Sequence, residues 1–184
     1  MKRVDNETLI FARESKEVKL PSRESHNAGY DVYAYFKEEE MIILPHETKM
    51  IPTGLYTAFS EDYVLVLKER GSTGTKGIAQ RSGIVDSSYR GEIFVPLTNT
   101  TEKAIIITKG NIEELQKNEN AQRLYTDAFG HSEPCKITYY PYTKAICQAL
   151  LLPVPKVEIK EITVEELKAI PSERGEGKLG SSNK

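Results

Sequence analysis

Short apolar stretches separated by turns dominate the first part of the chain. Four stretches are rich in β-branched and aromatic side chains, as strands are, and they lie at 63–67, 92–97, 104–108 and 136–142. Leu44-Pro45 and the stretch 51–54 (IPTG) are typical of strand edges and corners. Many short strands without long helices between them predict an all-β domain, either a sandwich or a barrel.

Two polar segments, Asn111 to Leu124 and Thr163 to Ile170, carry the signals of short helices. In each, the first residue is followed three positions later by a glutamate, which is the capping-box arrangement of a helix N-terminus. Pro171 stops the second helix, because proline cannot continue the backbone hydrogen-bond ladder. The pattern therefore predicts an all-β subunit with short helices added to it.

Residues 172–184 form a glycine- and serine-rich tail with too few apolar side chains to fold alone. We therefore divide the chain into a β domain over residues 1–171 and a flexible tail over residues 172–184. A frayed C-terminus is one interpretation of this tail. The other is an oligophosphate clamp, because glycines let backbone amides approach phosphate oxygens while Arg174 and the serine hydroxyls donate hydrogen bonds.

Composition narrows the classes of function. The 184 residues carry a net charge of −2 and no basic stripe with interleaved aromatic residues, which argues against a nucleic-acid binder. No apolar run is long enough to span a bilayer, and the N-terminal residues lack the apolar core of a secretory signal, so we expect a soluble cytoplasmic protein. Cys135 and Cys147 lie in strand-like apolar surroundings and are expected to be buried and reduced. The histidines share no ligand spacing, so a zinc site is not expected.

The stretch from Gly83 to Glu92, GIVDSSYRGE, carries the clearest candidate chemistry. An apolar strand end delivers Asp86 into a turn, and Tyr89 follows three residues later. A carboxylate held over an aromatic ring can orient a sugar hydroxyl and take a proton from water. A solvated aspartate in a Ser-Ser turn is the competing interpretation, and this stretch alone does not decide between them.

Five segments, in order along the chain, resemble the five motifs of the trimeric dUTP diphosphatase (dUTPase) family. The third, GIVDSSYRGE, matches very closely, and the first, AGYDVYA at 28–34, matches strongly. ERGSTG at 69–74 resembles the second motif loosely, KAICQ at 144–148 resembles the fourth in part, and RGEGKLGSS at 174–182 resembles the fifth. Together these matches cover nearly the whole chain.

The resemblance implies a β-clip, or distorted jelly-roll, subunit that forms a homotrimer with active sites between subunits. It also implies Mg²⁺-dependent hydrolysis of dUTP to dUMP and pyrophosphate. Asp86 would then contact the deoxyribose 3′-hydroxyl and activate the water that attacks the α-phosphorus. Tyr89 would lie under the sugar and exclude a 2′-hydroxyl. Asp31 would hold the metal through water.

The other residues carried over from the motifs are substrate contacts. They are Arg70, Gly71, Ser72 and Gln148 at the phosphates, Gln80, Gly83 and Ile84 at the hairpin that reads the pyrimidine, and Arg174, Leu179, Gly180, Ser181 and Ser182 in the tail that closes over the nucleotide. Arginine side chains and the metal ion would together neutralise the charge of the triphosphate.

Three departures from the family pattern affect the expected contacts with the base, the contacts with the phosphates, and the tail that closes over the nucleotide. The hairpin before Asp86 is shorter than the family's, so Gln80 is either a pyrimidine contact or a turn residue. The Gly-Asp-Arg of the fourth motif is replaced by Thr143-Lys144-Ala145, and Lys144 would restore part of the charge but not a guanidinium fork. Leu179 replaces the aromatic residue that stacks on the base and loses the aromatic contribution.

A segment at 109–136, between the third and fourth motifs, is longer than compact family members need. A tolerated surface insertion, partly helical, is the favoured interpretation, since long loops add little closure entropy. The alternative is a segment that binds a protein partner, as in phage members of the family. Tyr125, Phe129 and residues 139–142 would then be its contacts.

Two rival functions remain open at the level of sequence. The dCTP deaminases share the fold and a similar third motif, but they need an acid on the following strand, which here reads IFVPLTN. Glu92, which precedes this strand, is the one nearby acid that keeps deamination as an alternative. The second rival is a nucleotide-liganded regulatory trimer that binds a protein through residues 109–136, with residual catalysis.

Overall fold

The computed structural model describes residues 4–118, 136–173 and 175–176, which contain twelve strands and three short helices. The strands are β1 (Ile10–Arg13), β2 (Tyr30–Val32), β3 (Glu40–Ile43), β4 (Thr48–Pro52), β5 (Leu55–Ala58), β6 (Tyr63–Lys68), β7 (Ile78–Gln80), β8 (Ile84–Val85), β9 (Phe94–Asn99), β10 (Ala104–Thr108), β11 (Ile137–Pro141) and β12 (Cys147–Pro153). The helices are α1 (Gly71–Gly74), α2 (Ile112–Lys117) and α3 (Val164–Ala169). The prediction of a β chain with short helices is confirmed.

The strands form four small sheets, in the orders β1-β5, β11-β10-β3, β2-β12-β6-β8 and β4-β9-β7. All pairs are antiparallel except β10 with β11, which run parallel. Strand β10 is the central strand of its sheet, between β3 and β11, and is buried at every position. Its uninterrupted apolar sequence is typical of a strand covered on both faces.

Aliphatic side chains from all four sheets build one hydrophobic core. The largest fully buried side chains are Tyr140, Ile43, Ile51, Leu55, Leu65, Leu67, Leu97, Ile105, Ile106, Ile107, Ile146 and Val18. All of these except Val18 belong to a strand or lie directly beside one. The alternation of buried and exposed positions in β6 fixes which face of that strand is turned to the core.

The corner predicted at Thr53-Gly54 is held by the side chain of Glu92, which lies just before β9. Glu92 Oε1 accepts hydrogen bonds from the backbone N–H groups of Thr53 (3.1 Å) and Gly54 (2.8 Å). Gly54 has a φ of +62°, a conformation that glycine adopts without strain. Strand β9 begins at Phe94, two residues later than the sequence predicted.

The two predicted helices differ in how well their ends were located. Helix α3 has the expected capping box, in which Thr163 and Glu166 bond each other's backbone N–H. In α2 the side chain of Asn111 caps the helix by accepting from the N–H of Glu113. The prediction that α2 runs to Leu124 is corrected, because Asn118 is extended and ends the helix at Lys117. Residues 119–135 lie outside the described part of the chain.

The chain divides into two compact units, Met1–Val154 and Pro155–Lys184. The first contains all the strands of the described residues, and the second contains α3. All described side chains of the second unit are exposed. The predicted boundary after Pro171 falls within this second unit. Among the described residues, no helix is long and apolar enough to cross a membrane.

Candidate active site

The register of one sheet brings the first, second and fourth motifs together. Gln148 of β12 is paired with Asp31 of β2 on one side and with Lys68 of β6 on the other. The chain continues from β6 into Arg70 and α1, so the second motif begins next to the same position. Residues far apart in sequence thus meet at one sheet end through backbone pairing alone.

Arg70 and Asp31 form a two-point ion pair at this sheet end. Arg70 Nε lies 2.9 Å from Asp31 Oδ1, and Arg70 Nη2 donates to Asp31 Oδ2 at 3.2 Å. Arg70 Nη1 also donates to the carbonyl oxygen of Ala145 at 3.4 Å, and that oxygen accepts a 2.6 Å bond from the buried hydroxyl of Tyr140. The guanidinium is therefore oriented before any ligand arrives.

The side chain of Gln148 is fixed by two contacts. Its Nε2 donates to the carbonyl oxygen of Glu69 at 2.8 Å. Its Oε1 lies so close to Gly29 that a Cβ built there would be 2.6 Å away. Glu69 also accepts the backbone N–H of Gln80 through its Oε1 at 3.1 Å, so one residue links the second motif to strand β7.

A concavity of about 480 Å³ opens between these groups, and we call it the phosphate concavity. Its lining residues are His26, Asn27, Ala28, Gly29, Asp31, Arg70, Gly71, Ser72 and Gln148. The four residues predicted to contact phosphates, and the one predicted at the metal, thus line a single site. This grouping supplies a guanidinium, a hydroxyl and an amide to one polar space.

Asp86 and Tyr89 lie in a different concavity, of about 300 Å³, which we call the sugar concavity. The predicted contacts Gly83 and Ile84 also line it, together with Leu67, Met50 and Phe94 among others. Tyr89 N donates to the carbonyl of Asp86 at 3.0 Å, which closes the turn. The hydroxyl of Tyr89 donates to the carbonyl of Glu92 at 2.9 Å, so the ring has a fixed position.

The turn between β7 and β8, where the sequence predicted a hairpin that reads the pyrimidine, has an unusual backbone. The predicted hairpin is corrected, because β7 pairs with β9 and β8 pairs with β6. Ser82 has a φ of +56° and Gly83 a φ of +109°. A Cβ at Gly83 would lie 2.6 Å from the carbonyl oxygen of Leu67, so only glycine fits there. Positive φ at a non-glycine residue such as Ser82 is strained and is typical of functional turns.

Gln80 is the last residue of β7 and is buried, and its side-chain amide donates to the carbonyl of Arg81. It is therefore a strand residue and not the turn residue of the sequence-based alternative. Glu92, the acid that kept deamination open, has one carboxylate oxygen bonded to the Thr53-Gly54 corner. That engagement argues against a proton-shuttling role for Glu92.

Burial governs the two clear pKa shifts near the phosphate concavity. Burial raises the pKa of the Tyr140 phenol, with the nearby Arg70 guanidinium opposing the shift. Burial raises the pKa of the Cys147 thiol to about 12, and the Asp31 carboxylate adds to the effect. Cys147 is fully buried, as predicted, and Cys135 lies outside the described residues.

The predicted site residues fall into three groups, apart from Gln80, which is buried at the end of β7 and lines neither concavity. The phosphate concavity holds Asp31 and the predicted phosphate contacts Arg70, Gly71, Ser72 and Gln148, whereas the sugar concavity holds Asp86 and Tyr89 and none of those four. Arg174, Leu179, Gly180, Ser181 and Ser182 lie outside the described residues. One chain does not bring the proposed base and the proposed phosphate ligands into one concavity.

Sequence reasoning missed the backbone carbonyls of Glu69 and Ala145. It assigned Tyr140 to a partner-binding surface, and this is corrected, because the Tyr140 side chain is fully buried and its hydroxyl donates to the carbonyl of Ala145. Tyr140 acts on Arg70 through Ala145, a residue far along the chain from the second motif. Only strand pairing reveals these contacts, so no local motif could have identified them.

Comparison with known proteins identifies the family to which this fold and this site belong. The family model for dUTPase matches residues 16–112, more than half of the chain. The deoxyuridine 5′-triphosphate nucleotidohydrolase of Nautilia profundicola is 30% identical over 187 aligned positions, covering 100% of this chain and 97% of its own. The enzyme of the same name from Debaryomyces hansenii is 30% identical over 177 positions, covering 95% of this chain and 86% of its own.

Solved structures show the same fold. The dUTPase of Staphylococcus bacteriophage 80alpha with dUpNHpp aligns with a TM-score of 0.66 at 23% identity, covering 96% of this chain and 99% of that chain. The native EIAV dUTPase aligns with a TM-score of 0.56 at 18% identity, covering 85% of this chain and 98% of that chain. The predicted jelly-roll-like fold is confirmed by these likenesses. By its family match and its full-length relatives, the chain belongs to the dUTPase family.

Proposed function

We propose that the protein hydrolyses dUTP to dUMP and pyrophosphate, with water attacking the α-phosphorus and Asp86 as the general base. The observation that carries the proposal is the pair of preformed concavities, one lined by an acid and an aromatic ring and the other by polar phosphate ligands. A nucleoside triphosphate has a nucleoside that matches the first concavity and a phosphate chain that matches the second. Family membership and the names of the curated relatives support the same substrate.

In the sugar concavity, Tyr89 supplies the surface on which the deoxyribose would lie. Its hydroxyl is bonded to the carbonyl of Glu92, so the ring cannot easily move aside for a 2′-hydroxyl. Asp86 is exposed at the head of this turn, where water and a sugar hydroxyl can both reach its carboxylate. A base in this position contributes about 10²–10⁴-fold to the rate. Gly83, Ile84 and Gln80 are the proposed pyrimidine-side contacts.

In the phosphate concavity, Arg70, Gly71, Ser72 and Gln148 are the proposed ligands of the phosphate oxygens. Arg70 is held by Asp31 and Ala145, so its charge is positioned before substrate binds. Preorganised charge of this kind stabilises a transition state without reorganisation at the moment of reaction.

A magnesium ion fits this donor set only if phosphate and water supply most of its ligands. Among the described residues, no group of three or more His, Cys, Asp or Glu side chains could hold a metal. Mg²⁺ commonly keeps several waters and takes one or two carboxylates plus substrate phosphates. Asp31 would accept hydrogen bonds from metal-bound water with the lone pairs that Arg70 leaves free, and the ion would neutralise triphosphate charge.

A homotrimer is part of the proposal, because the base and the phosphate ligands lie in separate concavities of one chain. A neighbouring copy would place its sugar concavity beside the phosphate concavity of the first. The tail, with Arg174 at the γ-phosphate and Leu179 to Ser182 over the nucleotide, would complete the site. We retain the division into a domain at 1–171 and a tail at 172–184, and a cytoplasmic location, as parts of this proposal.

The decisive experiment measures Mg²⁺-dependent pyrophosphate release from dUTP, dCTP, dTTP and UTP in parallel, with the base of each product identified. Release from dUTP alone, with dUMP as product, is the expected result. Turnover of dCTP would show that the short turn between β7 and β8 has changed the base specificity. Nucleotide binding without any turnover would overturn the proposal and favour a regulatory trimer that binds a partner through residues 109–136.

A further inference from the structure

The turn between β7 and β8, residues 81–83, connects two different sheets. Strand β7 lies at the edge of its sheet and pairs with β9, whereas β8 pairs with β6. Ser82 and Gly83, the last two residues of this turn, line the sugar concavity. The position of the turn relative to β6 therefore sets one wall of the space that would hold the base and the sugar.

Two hydrogen bonds tie this turn to the end of β6 and to Glu69, the residue that follows it. On one side, the backbone N–H of Leu67 donates to the carbonyl oxygen of Gly83 at 2.7 Å. On the other side, the backbone N–H of Gln80 donates to Oε1 of Glu69 at 3.1 Å. The first bond joins two backbones and does not depend on side-chain identity, whereas the second depends on the carboxylate of Glu69.

The geometry of β7 explains why Gln80 needs this acceptor. Arg81 donates its backbone N–H to the carbonyl oxygen of Pro96 at 2.9 Å, on the side of β9. Because the N–H groups of successive strand residues point to opposite sides, the N–H of Gln80 points away from β9, towards the free edge of the sheet. Gln80 is buried, and a buried N–H without an acceptor costs free energy. The carboxylate of Glu69 supplies that acceptor.

The turn also depends on its surroundings for its backbone conformation. Ser82 has a positive φ, and strained backbone of this kind persists only where surrounding contacts determine it. The side-chain nitrogen of Gln80 donates to the carbonyl of Arg81 and lies 2.7 Å from the position that a Cβ on Gly83 would take. The side chain of Gln80 thus supports the turn, and Glu69 holds the backbone of Gln80.

We propose that Glu69 is a positioning residue that sets the base specificity of the sugar concavity by anchoring the β7–β8 turn. This role rests on the proposed function for the identity of the ligand, a deoxyuridine nucleotide. Uracil and cytosine differ in the donors and acceptors along one edge of the ring, so a site that discriminates between them needs its own polar groups at fixed positions. The phosphate side is independent of the Glu69 side chain, because Gln148 bonds to the backbone carbonyl of Glu69.

The anchor is tested by comparing Glu69→Ala with Glu69→Gln, whose amide oxygen can still accept the N–H of Gln80. The control Glu38→Ala removes an exposed carboxylate from the segment before β3. Hydrogen exchange followed by NMR should show the Gln80 amide exchanging about tenfold faster in Glu69→Ala and at the native rate in the other two variants. The amide of Arg81, which is bonded to Pro96, is the internal reference and should exchange at its native rate throughout.

The effect on recognition is measured by calorimetric titration of the full-length variants with dUMP, dCMP and sodium pyrophosphate. In Glu69→Ala we expect the ratio of dUMP affinity to dCMP affinity to fall on the order of tenfold, while the affinity for pyrophosphate stays native. Glu69→Gln and Glu38→Ala should keep the native ratio, because both retain an acceptor for the N–H of Gln80.

A native exchange rate at Gln80 or a native affinity ratio in Glu69→Ala would overturn the proposal, as would a native protein that binds dUMP and dCMP equally. Equal defects in Glu69→Gln and Glu69→Ala would also overturn it, since the charge and not the bond would then be responsible. Faster exchange at Arg81, or weaker pyrophosphate binding, would show a general structural role instead. A preference for dUMP that Glu69→Ala removes, in a protein without dUTP turnover, would uphold the anchor while the proposed hydrolysis failed.

Discussion

Replacement of Gly29 by alanine would disturb the phosphate concavity without removing any polar group. The new Cβ would lie 2.6 Å from Oε1 and 3.0 Å from Cβ of Gln148. Non-bonded heavy atoms prefer separations of about 3.5–4.0 Å, so the Gln148 side chain must move by roughly 1 Å. That movement breaks its 2.8 Å bond to the carbonyl of Glu69.

Two magnitudes follow from this geometry. Overpacking between β2 and β12, with the lost hydrogen bond, should lower the free energy of unfolding by about 1–3 kcal/mol. Misplacement of a phosphate ligand by about 1 Å should lower kcat/KM for dUTP by up to roughly 10²-fold. Binding of dUMP should change little, because its base and sugar would occupy the sugar concavity.

The assay combines pyrophosphate release with thermal unfolding of Gly29→Ala. Gly74→Ala is the matched control, since its Cβ would meet only Glu69 Oε2 at 3.9 Å and its melting temperature should be unchanged or raised. A native kcat/KM in Gly29→Ala would refute the reasoning. So would strict additivity with Gln148→Ala in a double-mutant cycle, because the predicted clash is with that side chain.

Three further outcomes are expected. Asp86→Asn should retain dUTP affinity and lose about 10²–10⁴-fold in kcat, and native turnover in this variant would remove Asp86 as the base. Truncation after Pro171 should abolish most turnover while the near-UV spectrum stays native, so a fully active truncation would exclude the tail as a lid. Burial raises the pKa of Cys147 to about 12, so the folded state keeps its proton where the unfolded thiol ionises, and stability should decline as pH rises from about 9 towards 12. Denaturant titrations across that range check the decline in a Cys135→Ser background. Cys147→Ala should make the decline smaller, and the remainder comes from Tyr140, whose pKa is also raised by burial.

Local signals in the sequence were sufficient for the elements. The apolar run of β10 was located with its observed bounds, Ala104–Thr108, because a strand buried on both faces has no polar interruption. The capping box at Thr163 placed the start of α3. Both features depend on residues within a few positions of one another.

Contacts between distant residues could not be predicted in the same way. The motifs placed Asp31 and Arg70 in one site, but the ion pair between them depends on the register of β2 and β6 across β12. The bond from Tyr140 to Ala145, and through it to Arg70, needs β11 in place beside β10. Neither strand register could be predicted from local stretches of the sequence.

Because β10 and β11 run parallel, the segment that connects them must have a minimum length. Parallel neighbours require the chain to travel back along the sheet, which takes a dozen or more residues, whereas a tight turn yields only antiparallel neighbours. Shortening residues 109–136 to a hairpin would therefore reverse β11 and carry Tyr140 away from Ala145. The sequence interpretation of this segment is a tolerated surface insertion, yet the parallel pairing that places Tyr140 needs a minimum length of it. The segment can therefore become longer in evolution, but it cannot become shorter than a crossover connection between parallel strands requires.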